Sequence, residues 1–218
     1  DEVHVGQAHD CWHTVNDLSL YVNNEVDRGL DRRARERFLG RVIADSRRLD
    51  GELATTMNHD EAYAMWRLGR ALERADMTTR VLGVRAAAVL MSSIDADATT
   101  RALDELQWMG VLRSLSAMQM YQRAVRGPID GDAVVRFLLE HDTFPRAVKA
   151  LLREVRRALL ELPDPAELVD GVDRVDSTIR DAVADGVDGA ELDDAMERLQ
   201  EAMADLDRRI HDRYLRLG

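Results

Sequence analysis

The sequence predicts an all-α protein, an up-and-down antiparallel helical bundle that ends in a C-terminal helical hairpin. Helix-forming Ala, Leu, Arg, Glu and Met dominate the 218 residues, whereas aromatic residues make up 5% and β-branched residues are scattered. Apolar residues recur at three- and four-residue spacings, which is the period of a helix with one buried face. Clear start and stop signals leave only short connections between the helices, and short connections favour antiparallel neighbours.

The main bundle is expected over residues 8–162. Its helices are predicted at roughly 8–27, 31–57, 60–92, 97–125, 131–140 and 143–162. The first ends near Gly29, and the third starts at Asp60 and Glu61, where negative charge suits the helix dipole. The fourth ends at the Gly127-Pro128 break.

The last two helices carry continuous apolar seams. One seam consists of Leu168, Val172, Val175, Ile179 and Val183, and the other of Leu192, Met196, Leu199, Met203, Leu206 and Ile210. The alternating four- and three-residue steps of the second seam are typical of a bundle or coiled-coil helix. We therefore expect a helical hairpin over 165–217 that packs on the main bundle, within a single domain covering residues 1–218.

Composition narrows the classes of function. The formal net charge of -11 argues against general binding to nucleic acid or to an anionic membrane, because both would repel the chain. The sequence contains no run of about 18 apolar residues, so it predicts no membrane-spanning helix. Cys11 is the only cysteine, so an intracellular, cytoplasmic setting is the simpler reading. Because a glycine-rich phosphate loop, a nucleophile elbow, a cysteine pair and a dinucleotide fingerprint are all missing, we predict no cofactor.

One stretch has the spacing of a metal site. His9, His13 and Asp17 follow each other at four-residue steps, so one face of the first helix presents two imidazoles and a carboxylate. A solvated helix face near a terminus explains the same spacing and is the favoured reading. The metal site is kept as the minor alternative.

The helix over 60–92 raises a question about buried charge. Its main apolar stripe consists of Leu68, Leu72, Ala75, Thr79 and Leu82. Trp66, Met77 and Val84 lie roughly opposite that stripe, and a helix that is apolar on two sides is usually interior. Because an unpaired buried charge is too costly, the charges between the stripes predict a semi-buried Arg–Glu–Arg network.

This network, which consists of Arg70, Glu73, Arg74 and Arg80, has two possible roles. In the first it locks the register of the helices, and in the second it forms a polar pocket that holds an anionic group. Gly69 beside it predicts the close approach of another helix or of a ligand.

The same helix carries a family resemblance. "LGRALERADMTTRVL" resembles the hallmark segment of the alpha-E family, a bacterial all-helical domain of poorly defined function with a glutamate-arginine motif. The matching residues are Leu68, Gly69, Arg70, Leu72, Glu73, Arg74, Ala75, Asp76, Thr79 and Arg80. Trp12 and Asn16 match an early family helix, and residues 137–148 resemble a later family segment. The family usually begins with an earlier copy of the motif helix, so the sequence predicts a truncated chain or a divergent member.

The resemblance implies a setting for the protein. Alpha-E domains occur beside, or fused to, ATP-grasp-type proteins, which activate a carboxylate as an acyl phosphate and join it to an amine. This implies an accessory or interaction domain with an ATP-grasp-type partner, in which Trp66, Gly69, Arg70, Glu73, Arg74, Asp76 and Arg80 form the motif or binding surface. The alternative is an enzyme that uses Glu73 as a general acid or base beside Arg70, Arg74 and Arg80. The absence of common catalytic motifs favours the accessory role.

Overall fold

The computed structural model describes the backbone of residues 2–92, 98–184 and 189–216, and the side chains of residues 12–85, 102–184 and 191–216. In these ranges the chain is all-α, as predicted. The helices are α1 (Glu2–Leu30), α2 (Arg35–Thr56), α3 (Glu61–Ser92), α4 (Ala98–Ser114), α5 (Met118–Ala124), α6 (Gly131–Glu140), α7 (Val148–Leu160), α8 (Ala166–Ala184) and α9 (Gly189–Tyr214). No helix within the described ranges is both long enough and apolar enough to cross a membrane.

The helices form two compact units, Asp1–His59 and Asp60–Gly218. The boundary predicted from the sequence within the single domain lies elsewhere, between the main bundle that ends at 162 and the hairpin that begins at 165. The structural boundary follows packing instead, because α1 and α2 contact each other, whereas α3 contacts α7 and α9.

The first unit is a helical hairpin of α1 and α2. Tyr21 stacks on Phe38 with 5.7 Å between the ring centroids, and the hydroxyl of Thr14 donates a hydrogen bond to Glu52 at 3.0 Å. Gly29 lies so close to Phe38 that a Cβ at this position would come within 2.6 Å of the ring. α2 itself has no buried residue, whereas α1 buries Thr14, so the described side chains of the hairpin pack mostly in half-buried positions.

The second unit is built around α3, which packs against both α7 and α9. The predicted apolar stripe of α3, from Leu68 to Leu82, is buried. The prediction of a second buried side is wrong, because Met77 and Val84 are 46% and 75% exposed and Trp66 is half-buried. α3 therefore buries one broad face against its neighbours and leaves part of its opposite side in contact with water.

The two C-terminal helices confirm the predicted seams. α8 packs against α9, and every predicted seam residue from Leu168 to Val183 and from Leu192 to Ile210 is buried. α9 also packs on α3, so its apolar residues serve two interfaces. This double contact places α9 beside the motif residues of α3.

The predicted helix over 97–125 is interrupted. α4 ends at Ser114, and Ser116 follows in the left-handed conformation with a φ of 53°. The N–H of Ala117 bonds to the carbonyl of Leu112 at 2.7 Å, which is the hydrogen bond of a Schellman helix terminus. The break turns the chain so that Leu115, Ala117 and Tyr121 of the following turn are all buried.

Candidate functional site

α3 divides its motif residues between two cavities. Successive residues of a helix point about 100° apart, so neighbours in the sequence face different directions. Gly69, Glu73, Asp76 and Arg80 line a groove between α3 and α9, whereas Arg70 and Arg74 line a pocket between α3, α7 and the segment that precedes α7. The structure thus places the two residues of the glutamate-arginine pair, Glu73 and Arg74, on different cavities.

The first cavity, which we call the arginine pocket, has a volume of about 290 Å³. Its lining consists of Arg70, Ala71, Arg74, Asp142, Thr143, Pro145, Ala150, Leu151 and Glu154. It brings together two of the segments that carry the family resemblance, the motif on α3 and the later segment within 137–148. Only the tertiary fold could show that these segments share a cavity.

Hydrogen bonds hold the wall of the arginine pocket in place. His141 Nδ1 accepts hydrogen bonds from the backbone N–H groups of Phe144 at 3.1 Å and Thr143 at 3.3 Å. The hydroxyl of Thr78 on α3, which is buried, lies 3.0 Å from the carbonyl oxygen of Arg146. Hydrogen bonds therefore hold residues 141–147 in two ways, inside the segment and to α3, the helix that carries Arg70 and Arg74.

The carboxylates of the arginine pocket have cationic partners that do not line it. Asp142 pairs with Arg153 at 3.2 Å and with Lys149 at 3.7 Å. Glu154 pairs with Arg67 at 2.7 Å. The negative charges of Asp142 and Glu154 are thus paired with Lys149, Arg153 and Arg67, and not with the arginines that line the pocket.

Arg70 supplies the available positive charge. Its guanidinium stacks over Trp66 at 4.4 Å from the ring centroid, and no carboxylate in the described part of the chain pairs with it. The nearby start of α7 has no side-chain N-cap. The N–H groups of Val148, Lys149 and Ala150 have no hydrogen-bond acceptor among the described residues. A guanidinium beside an uncapped helix N-terminus is an arrangement suited to a carboxylate or phosphate.

The second cavity, which we call the acidic groove, has a volume of about 480 Å³. Its lining consists of Gly69, Leu72, Glu73, Asp76 and Arg80 of α3, and of Gln200, Glu201, Met203, Ala204 and Asp207 of α9. Leu72 and Met203 of this lining are almost fully buried, whereas Gly69 and Ala204 are exposed, so the groove has a narrow apolar floor between carboxylate-bearing walls.

The predicted semi-buried Arg–Glu–Arg network is not formed. Glu73 is exposed on a wall of the acidic groove. Arg80 instead pairs with Asp76 at 2.6 Å, and the hydrogen bond and charge of Asp76 raise the pKa of Arg80. The prediction failed because it assumed that α3 is interior on two sides, whereas the side that carries Glu73 and Arg80 reaches water.

A half-buried charge network does exist on α3, but sequence reasoning missed its central residue. Arg67, whose side chain is 16% exposed, donates hydrogen bonds to Glu154 at 2.7 Å and to Glu161 at 2.9 Å. Burial acts to lower the pKa of Arg67, but the hydrogen bonds and charges of the two glutamates outweigh it and raise the pKa. The glutamates lie 87 and 94 residues away in the sequence, so no local spacing could indicate them.

The metal candidates on α1 are only partly described. The side chain of His9 lies outside the described residues. His13 and Asp17 are exposed, and His13 packs edge-on against Trp12 at 5.7 Å. Among the described side chains, no group of three or more His, Cys, Asp or Glu residues is placed to hold a metal ion.

Glu73→Gln is expected to change the free energy of unfolding by less than about 0.5 kcal/mol. The side chain is exposed and forms no ion pair with a described residue, so its charge contributes little to folding. Urea unfolding of the variant and the wild type measures the difference. A loss of about 3–5 kcal/mol, which a broken buried network predicts, would show that Glu73 is paired and buried after all.

The fold and the two cavities define an all-α domain whose central helix displays a glutamate-arginine pair, with one residue on each cavity. The family model of Alpha-E, described as a predicted alpha-helical domain with a conserved ER motif, matches residues 7–215. The chain therefore belongs to the Alpha-E family. No curated protein and no solved structure matches it.

Proposed function

We propose that this chain is an accessory domain of an ATP-grasp-type, amide- or peptide-forming system in the bacterial cytoplasm. Its task in this proposal is to hold the carboxylate of an acidic substrate or partner segment in the arginine pocket. The observation that carries the proposal is the position of Arg70, which faces the pocket beside the uncapped start of α7 without a carboxylate partner among the described residues.

The chemistry of the pocket supports a carboxylate ligand. The planar guanidinium of arginine matches a carboxylate in two parallel hydrogen bonds, and its stacking on Trp66 fixes the plane in which Arg70 presents them. The uncapped N-terminus of α7, from which Ala150 lines the pocket, adds a positive partial charge. Asp142 and Glu154 do not oppose an anion strongly, because Lys149, Arg153 and Arg67 already balance them.

The ATP-grasp partner rests on the family resemblance. Alpha-E domains lie beside or are fused to ATP-grasp-type proteins, and those enzymes consume carboxylates. A domain that holds a carboxylate-bearing peptide or carrier is a reasonable neighbour for such chemistry. The alternative enzyme uses Glu73 beside Arg70, Arg74 and Arg80. Arg70 and Arg74 line a different cavity from Glu73. Arg80 shares the acidic groove with Glu73 but pairs with Asp76.

The test is capture of the partner by the tagged protein from a lysate of its native host. We expect an ATP-grasp-type protein at near-stoichiometric yield with the wild type, and at least a tenfold lower yield with Arg70→Gln. Arg136→Gln is the matched control, because Arg136 is an exposed arginine on α6 that only pairs with Glu140 at 3.6 Å. Mass spectrometry identifies and quantifies the captured protein.

Two outcomes contradict parts of the proposal. A partner-free wild-type preparation would remove the ATP-grasp association. Equal capture by wild type and Arg70→Gln would remove the arginine pocket from the contact. Calorimetric titration with a triglutamate peptide then measures the pocket alone, and Arg70→Gln is expected to weaken that binding about tenfold, or about 1.4 kcal/mol.

A further inference from the structure

The acidic groove has the dimensions of a helix-binding surface. On α3 it runs from Gly69 to Arg80, which spans about 16 Å along the helix axis at about 1.5 Å per residue. On α9 it runs from Gln200 to Asp207. Two packed helices thus present a trough of about three turns on α3 and about two turns on α9, and such a trough accepts a third helix by the same packing that joins helices within a bundle.

Gly69 keeps the floor of the groove open. A Cβ built at Gly69 would meet no atom within 4 Å, so no part of the described chain fills the space beside it. Glycine inside a helix also weakens that helix relative to alanine. No internal packing therefore explains the glycine, and the open space beside it leaves room for an occupant against this side of α3.

The charges of the groove select a basic occupant. Its walls carry four carboxylates and one guanidinium, and that guanidinium, Arg80, is held by Asp76. Glu73, Glu201 and Asp207 form no ion pair with any residue that the structure describes. The carboxylates are spread along the trough and do not meet in a group able to hold a metal ion, so the complementary charge must be spread as well.

We propose that the acidic groove docks a basic amphipathic helix of a partner protein. The apolar face of that helix packs on the exposed Gly69 and Ala204 and on the small open parts of Leu72 and Met203. Its lysines or arginines pair with Glu73, Glu201 and Asp207. This surface is separate from the arginine pocket, so it stands or falls independently of the carboxylate-binding function proposed above.

The test uses a fluorescently labelled 18-residue peptide with leucines on one helical face and lysines on the others, with both ends blocked. We expect saturable binding at one peptide per chain by fluorescence anisotropy, weakening as salt is raised. A peptide with the same leucines and glutamates in place of the lysines is expected not to bind. Spermine, which carries positive charge without an apolar face, is expected not to displace the lysine peptide.

Matched variants locate the site. Gly69→Phe fills the open floor and is expected to weaken binding at least tenfold, whereas Gly69→Ala is expected to keep it. Glu73→Gln with Glu201→Gln is expected to weaken binding at least tenfold as well. Its control, Glu105→Gln with Asp170→Asn, removes the same charge from exposed positions on α4 and α8 and is expected to change binding less than twofold.

The proposal is overturned if the control double variant weakens binding as much as the groove double variant, because the contact would then be general charge attraction. It is also overturned if Gly69→Phe binds like the wild type, or if spermine displaces the peptide. Circular dichroism of each variant verifies that the helices are retained. If Gly69→Phe fails to fold, the comparison of the groove double variant with its control double variant decides the proposal.

Discussion

Arg67→Ala is expected to lower the free energy of unfolding of the second unit by about 3 kcal/mol. The Arg67 side chain is 16% exposed and is shared between Glu154 and Glu161, at 2.7 Å and 2.9 Å. Its loss leaves Glu154, which is 27% exposed, without its cation. Removing one partner of a buried ion pair costs about 3–5 kcal/mol, and the partial exposure of both glutamates places the effect at the lower end.

Denaturant unfolding measures this loss as a lower midpoint with an unchanged slope. Arg80→Ala is the control, because Arg80 belongs to the same helix but pairs with Asp76 at an exposed position, 60% exposed, where such pairs contribute about 0–1 kcal/mol. A double-mutant cycle with Glu154→Ala isolates the coupling energy between Arg67 and Glu154. Equal losses of stability for Arg67→Ala and Arg80→Ala would show that the ion pairs of Arg67 stabilise the fold no more than an exposed pair does.

Arg85→Met is expected to have the opposite sign and to raise the free energy of unfolding by about 2 kcal/mol. Arg85 is 6% exposed, and burial lowers its pKa despite the opposing charge of Asp104. Asp104 accepts a hydrogen bond from one guanidinium nitrogen, and the ring of Trp108 lies 5.1 Å from the guanidinium carbon. The other two nitrogens, Nε and Nη1, are buried without a hydrogen-bond partner in the described part of the molecule.

The physical reason is that Nε and Nη1 of Arg85 are buried away from water without hydrogen-bond acceptors, which costs about 1–3 kcal/mol for each unsatisfied group. Methionine has a similar length and a flexible apolar side chain that fills the same space, and Asp104, which is 43% exposed, stays solvated without its partner. Thermal and urea unfolding measure the gain. Arg85→Ala, which leaves a cavity, separates loss of charge from loss of packing. A loss of stability in Arg85→Met would mean that the guanidinium contributes more than its burial costs.

The sequence predicted those features that depend on periodic burial. The buried stripe of α3 from Leu68 to Leu82 and the seams of α8 and α9 follow directly from three- and four-residue spacing. The interruption before α5 was missed, because Ser116 takes the left-handed conformation that glycine usually supplies and no glycine or proline marks the turn.

The candidate site was predicted only in part. The resemblance indicated α3 and included Arg70 and Arg74, which the structure places on the arginine pocket, but local spacing suggested a pairing of Arg70 and Arg80 with Glu73. The pairing that forms instead joins Arg67 to Glu154 and Glu161, and it depends on how α7 packs against α3. Likewise, the division of the motif into two cavities depends on which helices flank α3, which no single helix can reveal.

One consequence follows from the placement of α3 as a wall of both cavities. A helix moves largely as a rigid rod, so a ligand that shifts Arg70 in the arginine pocket also shifts Glu73 in the acidic groove. If each cavity binds its own partner, occupancy of one changes the affinity of the other, and thermodynamic linkage requires the effect to be equal in both directions. The adjacent Glu73 and Arg74 of the motif, which line different cavities, are then coupled through the helix that carries both.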